Sequence, residues 1–141
     1  MMERNGFTLI EMLLVLSMFL LLSMLSLRPI SSLLIYQTEQ NYLQEIASAI
    51  LLAQTAAITH ETPSKLTFSS QALTIEYPDG KLEKITTPAS LTFHVKKNEN
   101  FSFQARTGKI NRFRTLSIIG DTHHYQLVFQ IGKGRFYIEE N

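Results

Sequence analysis

The chain has 141 residues, 45% of them hydrophobic and 18% charged, with a formal net charge of +1. The apolar content excludes a disordered chain, and 6 Gly with 4 Pro exclude a collagen-like or low-complexity one. The absence of cysteine removes disulfides, thiolate metal sites and thiol nucleophiles, and the balanced charge supplies no overall basic field for nucleic acid.

The apolar residues are concentrated at the amino end. After the short polar stretch Met1–Gly6, the run from Phe7 to Leu27 is interrupted only by Thr8, Glu11, Ser17, Ser23 and Ser26. As a helix rising 1.5 Å per residue it is about 32 Å long, enough for a hydrocarbon core of about 30 Å. A secretory signal has a shorter apolar core, about 7–15 residues, and a small-x-small cut site, which neither Met24-Leu25-Ser26 nor Ser31-Ser32-Leu33 provides. A retained span is therefore expected. Glu11 is its anomaly, because a carboxylate at that depth costs about 2.5–3.5 kcal/mol unless it finds a partner or snorkels to the headgroups. Glu11 lies one helical turn from Phe7, and Phe7 follows a glycine. A cut between Gly6 and Phe7 would give Phe7 a cationic amine able to neutralise such a carboxylate between neighbouring subunits.

Gly6-Phe7-Thr8-Leu9-Ile10-Glu11, behind a short charged leader and ahead of an unbroken apolar helix, closely resembles the amino terminus of type IV pilins and pseudopilins. The resemblance implies cleavage after Gly6 by a prepilin peptidase on the cytoplasmic side, N-methylation of Phe7, and docking of the subunit into a filament with the help of Glu11. It also implies an orientation with the carboxyl end outside, which the leader's own charges, Arg4 offset by Glu3, do not establish.

Arg28-Pro29 closes the run, and the proline predicts a bend or loosened turn there. Beyond it, Leu43, Ile46, Ala47, Ile50, Ala53, Ala57 and Ile58 recur at steps of three and four. Gln37, Glu39, Gln40, Gln44, Glu45 and Gln54 are assigned to the other side. Thr62-Pro63 is the expected stop. One helix from Phe7 to His60 would be about 80 Å long, its first half needing lipid or sister copies and its second half a sheet.

From Lys65 the period changes to two. Leu66 and Phe68, Leu73 to Tyr77, Leu82 to Thr86, Leu91 to Val95, Phe101 to Ala105, Arg112 to Ile119, Tyr125 to Ile131 and Arg135 to Glu139 read as strands. Turns are expected at Pro78-Asp79-Gly80, Lys96–Asn100, Thr107-Gly108-Lys109, Gly120-Asp121 and Gly132-Lys133-Gly134. Helix first and antiparallel strands afterwards make the fold class α+β. The expected organisation is a cleaved leader at 1–6, a transmembrane or filament-core helix half at 7–28, an amphipathic half at 29–62 and a globular antiparallel β domain at 63–141. The stretch from Phe101 to Ile138, punctuated by Gly108, Gly120 and Gly134-Arg135, also looks like the minor pseudopilins of the H type in type II secretion. Overall size, absence of cysteine and the minimal leader look most like a minor pilin of the Gram-positive competence machinery for DNA uptake.

No catalytic or metal constellation emerges. His123 and His124 are adjacent on a strand and point to opposite faces, and His60 and His94 are isolated. Gly132-Lys133-Gly134 lacks the spacing and the following helix of a phosphate loop. A non-enzymatic chain without cofactor is expected, the ATPase of any filament being a different protein. Arg106, Lys109, Arg112 and Arg114 form a basic run with Phe113 interleaved and no acidic residue between Asn100 and Gly120. Such a run reads either as a DNA-phosphate contact or as a solvated strand face. The expected partners are the prepilin peptidase, other major and minor pilins, membrane lipid before assembly, the assembly platform protein with its ATPase, and DNA if the basic run serves it. Two rivals are a pseudopilin of a protein-secretion filament and a single-pass anchored extracellular binding domain that never polymerises.

Overall fold

In the computed structural model the described residues are 8–26, 28–121, 123–130, 132 and 134–141. The leader and the Gly6-Phe7 junction lie outside them. Helix α1 runs Leu9–Ser26 and helix α2 Arg28–Thr59, on either side of Leu27. Leu27, between them, lies outside the described residues, as does Phe7 at the start of the expected helix. Pro29 lies within the described helix Arg28–Thr59. Among the described residues no helix is long and apolar enough to cross a membrane; the described length of α1 corresponds to about 27 Å.

The residues divide into two compact units, Met1–Leu34 and Ile35–Asn141. In the first, every described side chain from Thr8 to Met24 is exposed. Ser17 Oγ donates to the Leu14 carbonyl and Ser23 Oγ to that of Phe19, both at 2.8 Å. These serines satisfy their hydroxyls against their own helix and so leave its surface apolar.

The second unit is α+β. Eight strands follow α2: β1 (Ser64–Ser69), β2 (Ala72–Glu76), β3 (Leu82–Thr86), β4 (Leu91–Phe93), β5 (Glu99–Phe103), β6 (Arg114–Gly120), β7 (His124–Phe129) and β8 (Phe136–Glu140). They form two four-stranded antiparallel sheets, β3-β2-β1-β5 and β4-β6-β7-β8, where the sequence suggested a single sheet. Several strand ends also differ. Glu99 and Asn100, read as turn, pair with Phe68 and Thr67, so β5 begins two residues early and ends at Phe103. β4 stops at Phe93, short of Val95, and β6 starts at Arg114, past Arg112.

Phe68 of β1, Phe93 of β4, Phe101 of β5 and Phe129 of β7 join the two sheets. Phe68 meets the other three rings at centroid distances of 5.2, 5.7 and 6.2 Å, and Phe101 lies 4.7 Å from Phe129. Offset and edge contacts of this kind add about 0.5–1.5 kcal/mol each beyond burial. Tyr42, Leu43, Ile46, Ile50, Ala53 and Ala57 of α2 cover the cluster. Ser64 Oγ, fully buried, donates to the Ala53 carbonyl at 2.7 Å and fixes the start of β1 under the helix.

The glycine turns behave as their chemistry requires. At Tyr77–Lys81, Gly80 takes φ +83° and Asp79 Oδ1 accepts from the Lys81 N–H at 2.9 Å, closing the β2–β3 hairpin. The β7–β8 hairpin closes through the Gln130 N–H to the Arg135 carbonyl, 2.8 Å, with Gly132 and Gly134 at positive φ.

Candidate functional site

Glu11 is the only charged residue of α1. Thr8 precedes the helix and Glu11 is its third residue. Glu11 Oε2 accepts from both the N–H and the hydroxyl of Thr8 at 3.4 Å, while the Thr8 carbonyl accepts from the N–H groups of Glu11 and Met12 at 3.1 and 3.2 Å. This is half of a capping box, the Glu side chain reaching back to the cap residue's amide. The Thr-x-x-Glu spacing that encodes it is legible in the sequence, yet a local capping role for Glu11 was not anticipated there. Capping holds the carboxylate against the first turn, next to the chain position that a cut at Gly6-Phe7 would expose. Gly6 and Phe7 themselves lie outside the described residues. Apart from Thr8, the residues around Glu11 are apolar, with Leu9, Ile10, Met12 and Leu13 exposed by 81, 75, 65 and 57%.

The basic run acquires acidic partners from elsewhere in the chain. Glu99 of β5, its side chain only 14% exposed, meets Arg112 at 2.7 Å and Arg114 at 2.9 Å. The Arg112 guanidinium also stands 4.8 Å from the Phe101 ring centroid. Arg106 meets Glu61 at 2.6 Å and donates its N–H to the Ala57 carbonyl at 3.3 Å, which docks the β5–β6 connection on the carboxyl end of α2. Both partners adopt left-handed backbone, Glu61 at φ 51° and Arg106 at φ 62°, conformations that non-glycine residues hold only when their surroundings enforce them. Lys109 is the one member of the four without an ion-pair partner among the described residues. Two carboxylates thus sit against a run of four positive charges. Phe113 remains 65% exposed between the two arginines held by Glu99.

Of the histidines, His123 lies 3.4 Å from Glu140 and packs edge-on to Tyr36. Among the described residues no three His, Asp or Glu side chains converge to hold a metal. A groove of about 440 Å³ lies between α2 and β8.

Two positions assigned to the polar side of α2 are instead structural. Glu39 is fully buried; its carboxylate accepts from the Tyr125 hydroxyl at 3.0 Å and from the Asp121 N–H at 3.1 Å. Its spacing from Tyr42, Leu43 and Ile46 places it on the core stripe, a signal that its charge obscured. Tyr42, beside it on the same stripe, keeps a buried hydroxyl without a hydrogen-bond partner among the described residues, and burial, helped by the charge of Glu45, raises its pKa well above the usual 10.0.

Gln54 Nε2 donates to the Gly108 carbonyl at 2.9 Å and the Gly134 carbonyl at 3.3 Å, binding two turns to the helix. A Cβ on Gly134, at φ +65°, would collide with the Gly108 carbonyl oxygen and with Gln54 Nε2. Gly134→Ala should therefore lower stability by about 3 kcal/mol, and Tm by about 10 °C or more, in thermal unfolding of the full chain. Gly80→Ala, with positive φ but open space around it, should cost only about 1 kcal/mol. Equal losses in the two variants would show that the Gly108–Gly134 approach is not tight.

No family model, curated protein or solved structure matches the chain.

Proposed function

We propose that this chain is the membrane-inserted precursor of a minor pilin or pseudopilin, cut between Gly6 and Phe7, methylated on Phe7 and assembled into a type IV pilus-like filament. The observation that carries the proposal is the surface of α1. Sixteen described residues in succession, Leu9 to Met24, expose their side chains, and Glu11 is the only charge among them. Monomeric proteins rarely expose contiguous apolar patches above a few hundred Å², so such a surface calls for lipid or other helices. Before assembly lipid covers it, the apolar sequence from Phe7 to Leu27, three residues longer than α1, being long enough for a span. After assembly the corresponding helices of neighbouring subunits replace lipid, and Glu11 pairs with the amine of a neighbour's Phe7. The β-rich unit then stands on the filament surface or tip, outside the cell.

Of the two filament readings, DNA uptake in transformation is the one proposed here, with export of protein as the alternative. Direct DNA contact by Arg106, Lys109, Arg112 and Arg114 is not part of this proposal; Glu61 and Glu99 offset two of their four charges. The filament performs no bond chemistry through this chain; its work is assembly, driven by a separate ATPase.

The test is the mass of the chain purified from its native host. The expected species begins at Phe7 with one added methyl group, and a strain lacking prepilin peptidase yields the chain with Met1–Gly6 attached. An identical mass in both strains overturns the proposal and favours an anchored domain that does not polymerise.

A further inference from the structure

Each sheet ends in a strand with an unpaired edge, β3 in one and β8 in the other. In the β2–β3 ladder the Tyr77 N–H bonds to the Lys81 carbonyl and the Thr87 N–H to the Gln71 carbonyl. By the alternation of an antiparallel ladder, the N–H and C=O groups of Leu82, Lys84 and Thr86 then face away from β2. The same alternation, anchored by Gln130–Arg135 and Asn141–His124, turns those of Phe136, Ile138 and Glu140 away from β7.

The two edges match in direction. β8 runs against α2, from Gly134 beside Gln54 to Glu140 beside Tyr36. β1 also runs against α2, from Ser64 at Ala53 towards Phe68, which reaches Tyr42 through Phe93. β3 is parallel to β1, both being antiparallel to β2. β3 and β8 therefore point the same way. They also lie on opposite flanks of the helix. Gln40, Leu43, Gln44 and Ala47 line the groove at β8, whereas Leu52 and Ala56 line the cleft at the turn leading into β3, about 150° around α2.

The solvent faces match in chemistry. Leu82, 69% exposed, stands two residues before Lys84 on β3; Tyr137, 42% exposed, stands two before Glu139 on β8. Neither Lys84 nor Glu139 has an ion-pair partner among the described residues. Free sheet edges are ordinarily blunted because they recruit other chains. Here one carries an unpaired cation and the other an unpaired anion at the same offset from an exposed apolar side chain.

We propose that a second copy of this chain docks side by side, its β3 edge adding to β8 as a parallel strand, with the neighbour's Leu82 opposite Tyr137 and the neighbour's Lys84 opposite Glu139. This deepens the filament proposal and rests on it for the parallel alignment of neighbouring α2 helices. In this register the outward groups of Phe136, Ile138 and Glu140 interleave with those of the neighbour's Leu82, Lys84 and Thr86, making about five backbone hydrogen bonds. Residues of one parity on β8 then lie beside the opposite parity on β3, so both copies keep their helices on the same face. The contact is heterologous and leaves a free β3 and a free β8 at its two ends, the geometry that propagates along a filament and does not close into a two-fold dimer.

The chain contains no cysteine, so introduced thiols report one contact at a time. Full-length Leu82→Cys and Tyr137→Cys chains, distinguishably tagged and mixed in detergent micelles, are treated with a short bis-maleimide. The expected product is a mixed dimer, with neither variant cross-linking to itself. Adding Glu139→Lys to the Tyr137→Cys chain should reduce its yield about tenfold, and adding Lys84→Glu to its partner should restore it. Cross-linking of Tyr137→Cys with itself would show two-fold β8–β8 pairing and overturn the proposal. Absence of the mixed product from chains with unchanged circular dichroism would also overturn it. Processing at Gly6-Phe7 is read separately by mass: a correctly cut chain without the cross-link defeats the edge pairing alone, and an uncut native chain defeats the filament.

Discussion

A chain carrying Glu11→Ala should be inserted and cut normally and should then fail to enter filaments, with transformation reduced by orders of magnitude. The side chain has two separable capacities. It caps α1 by accepting from Thr8, worth about 0.5–2 kcal/mol to the helix end, and it carries the only charge on an otherwise apolar surface. Glu11→Gln separates them, because glutamine serves in a capping box as well as glutamate but brings no charge. If pairing with a neighbour's amine drives docking, Glu11→Gln should be as defective as Glu11→Ala, since a lone ammonium is left in an apolar bundle. If capping is the whole role, Glu11→Gln should assemble normally. Filament yield by shearing and immunoblot, with transformation frequency beside it, reads both variants. Full function in Glu11→Ala removes Glu11 from the mechanism.

Glu39→Ala should be the most damaging single truncation within α2. Glu39 is fully buried and joins the helix to the β6–β7 connection through the Tyr125 hydroxyl and the Asp121 N–H, two partners more than eighty positions away in the chain. Removing the carboxylate takes this acceptor from both donors and opens a cavity beside Gly120, where Glu39 Oε1 lies 3.0 Å from the site a Cβ would take. Bonds to a charged acceptor contribute about 1.5–3 kcal/mol each, so a loss of about 3 kcal/mol or more is expected, with Tm falling by about 10–15 °C. Glu39→Gln keeps an acceptor oxygen and should lose about half as much. The full chain in detergent, followed by circular dichroism on heating, measures all three. A Glu39→Ala protein as stable as the parent would mean that Tyr125 and Asp121 find other acceptors at no cost.

Much of this molecule is determined within short stretches of sequence. The switch from a three-to-four period to a period of two marks where α2 gives way to strands. Pro78-Asp79-Gly80 and Gly132 to Gly134 close hairpins because a fixed φ and a left-handed glycine suffice for a turn whatever surrounds it. The Gly-Phe and Glu11 pattern likewise needs no tertiary context to be noticed. Tertiary structure alone decided what depends on distant partners. Eight strands divide into two sheets, not one, because pairing is chosen by non-local register, β1 taking β5 and β4 taking β6 across long intervals. Glu39 changed from a surface residue to a buried acceptor because Tyr125 and Asp121 arrive from the far end of the chain. The basic run acquired partial compensation for the same reason: Glu61 and Glu99 lie outside it in sequence and against it in space, offsetting two of its four positive charges. Local backbone preference acts over a few residues, whereas burial and charge compensation are properties of the packed whole.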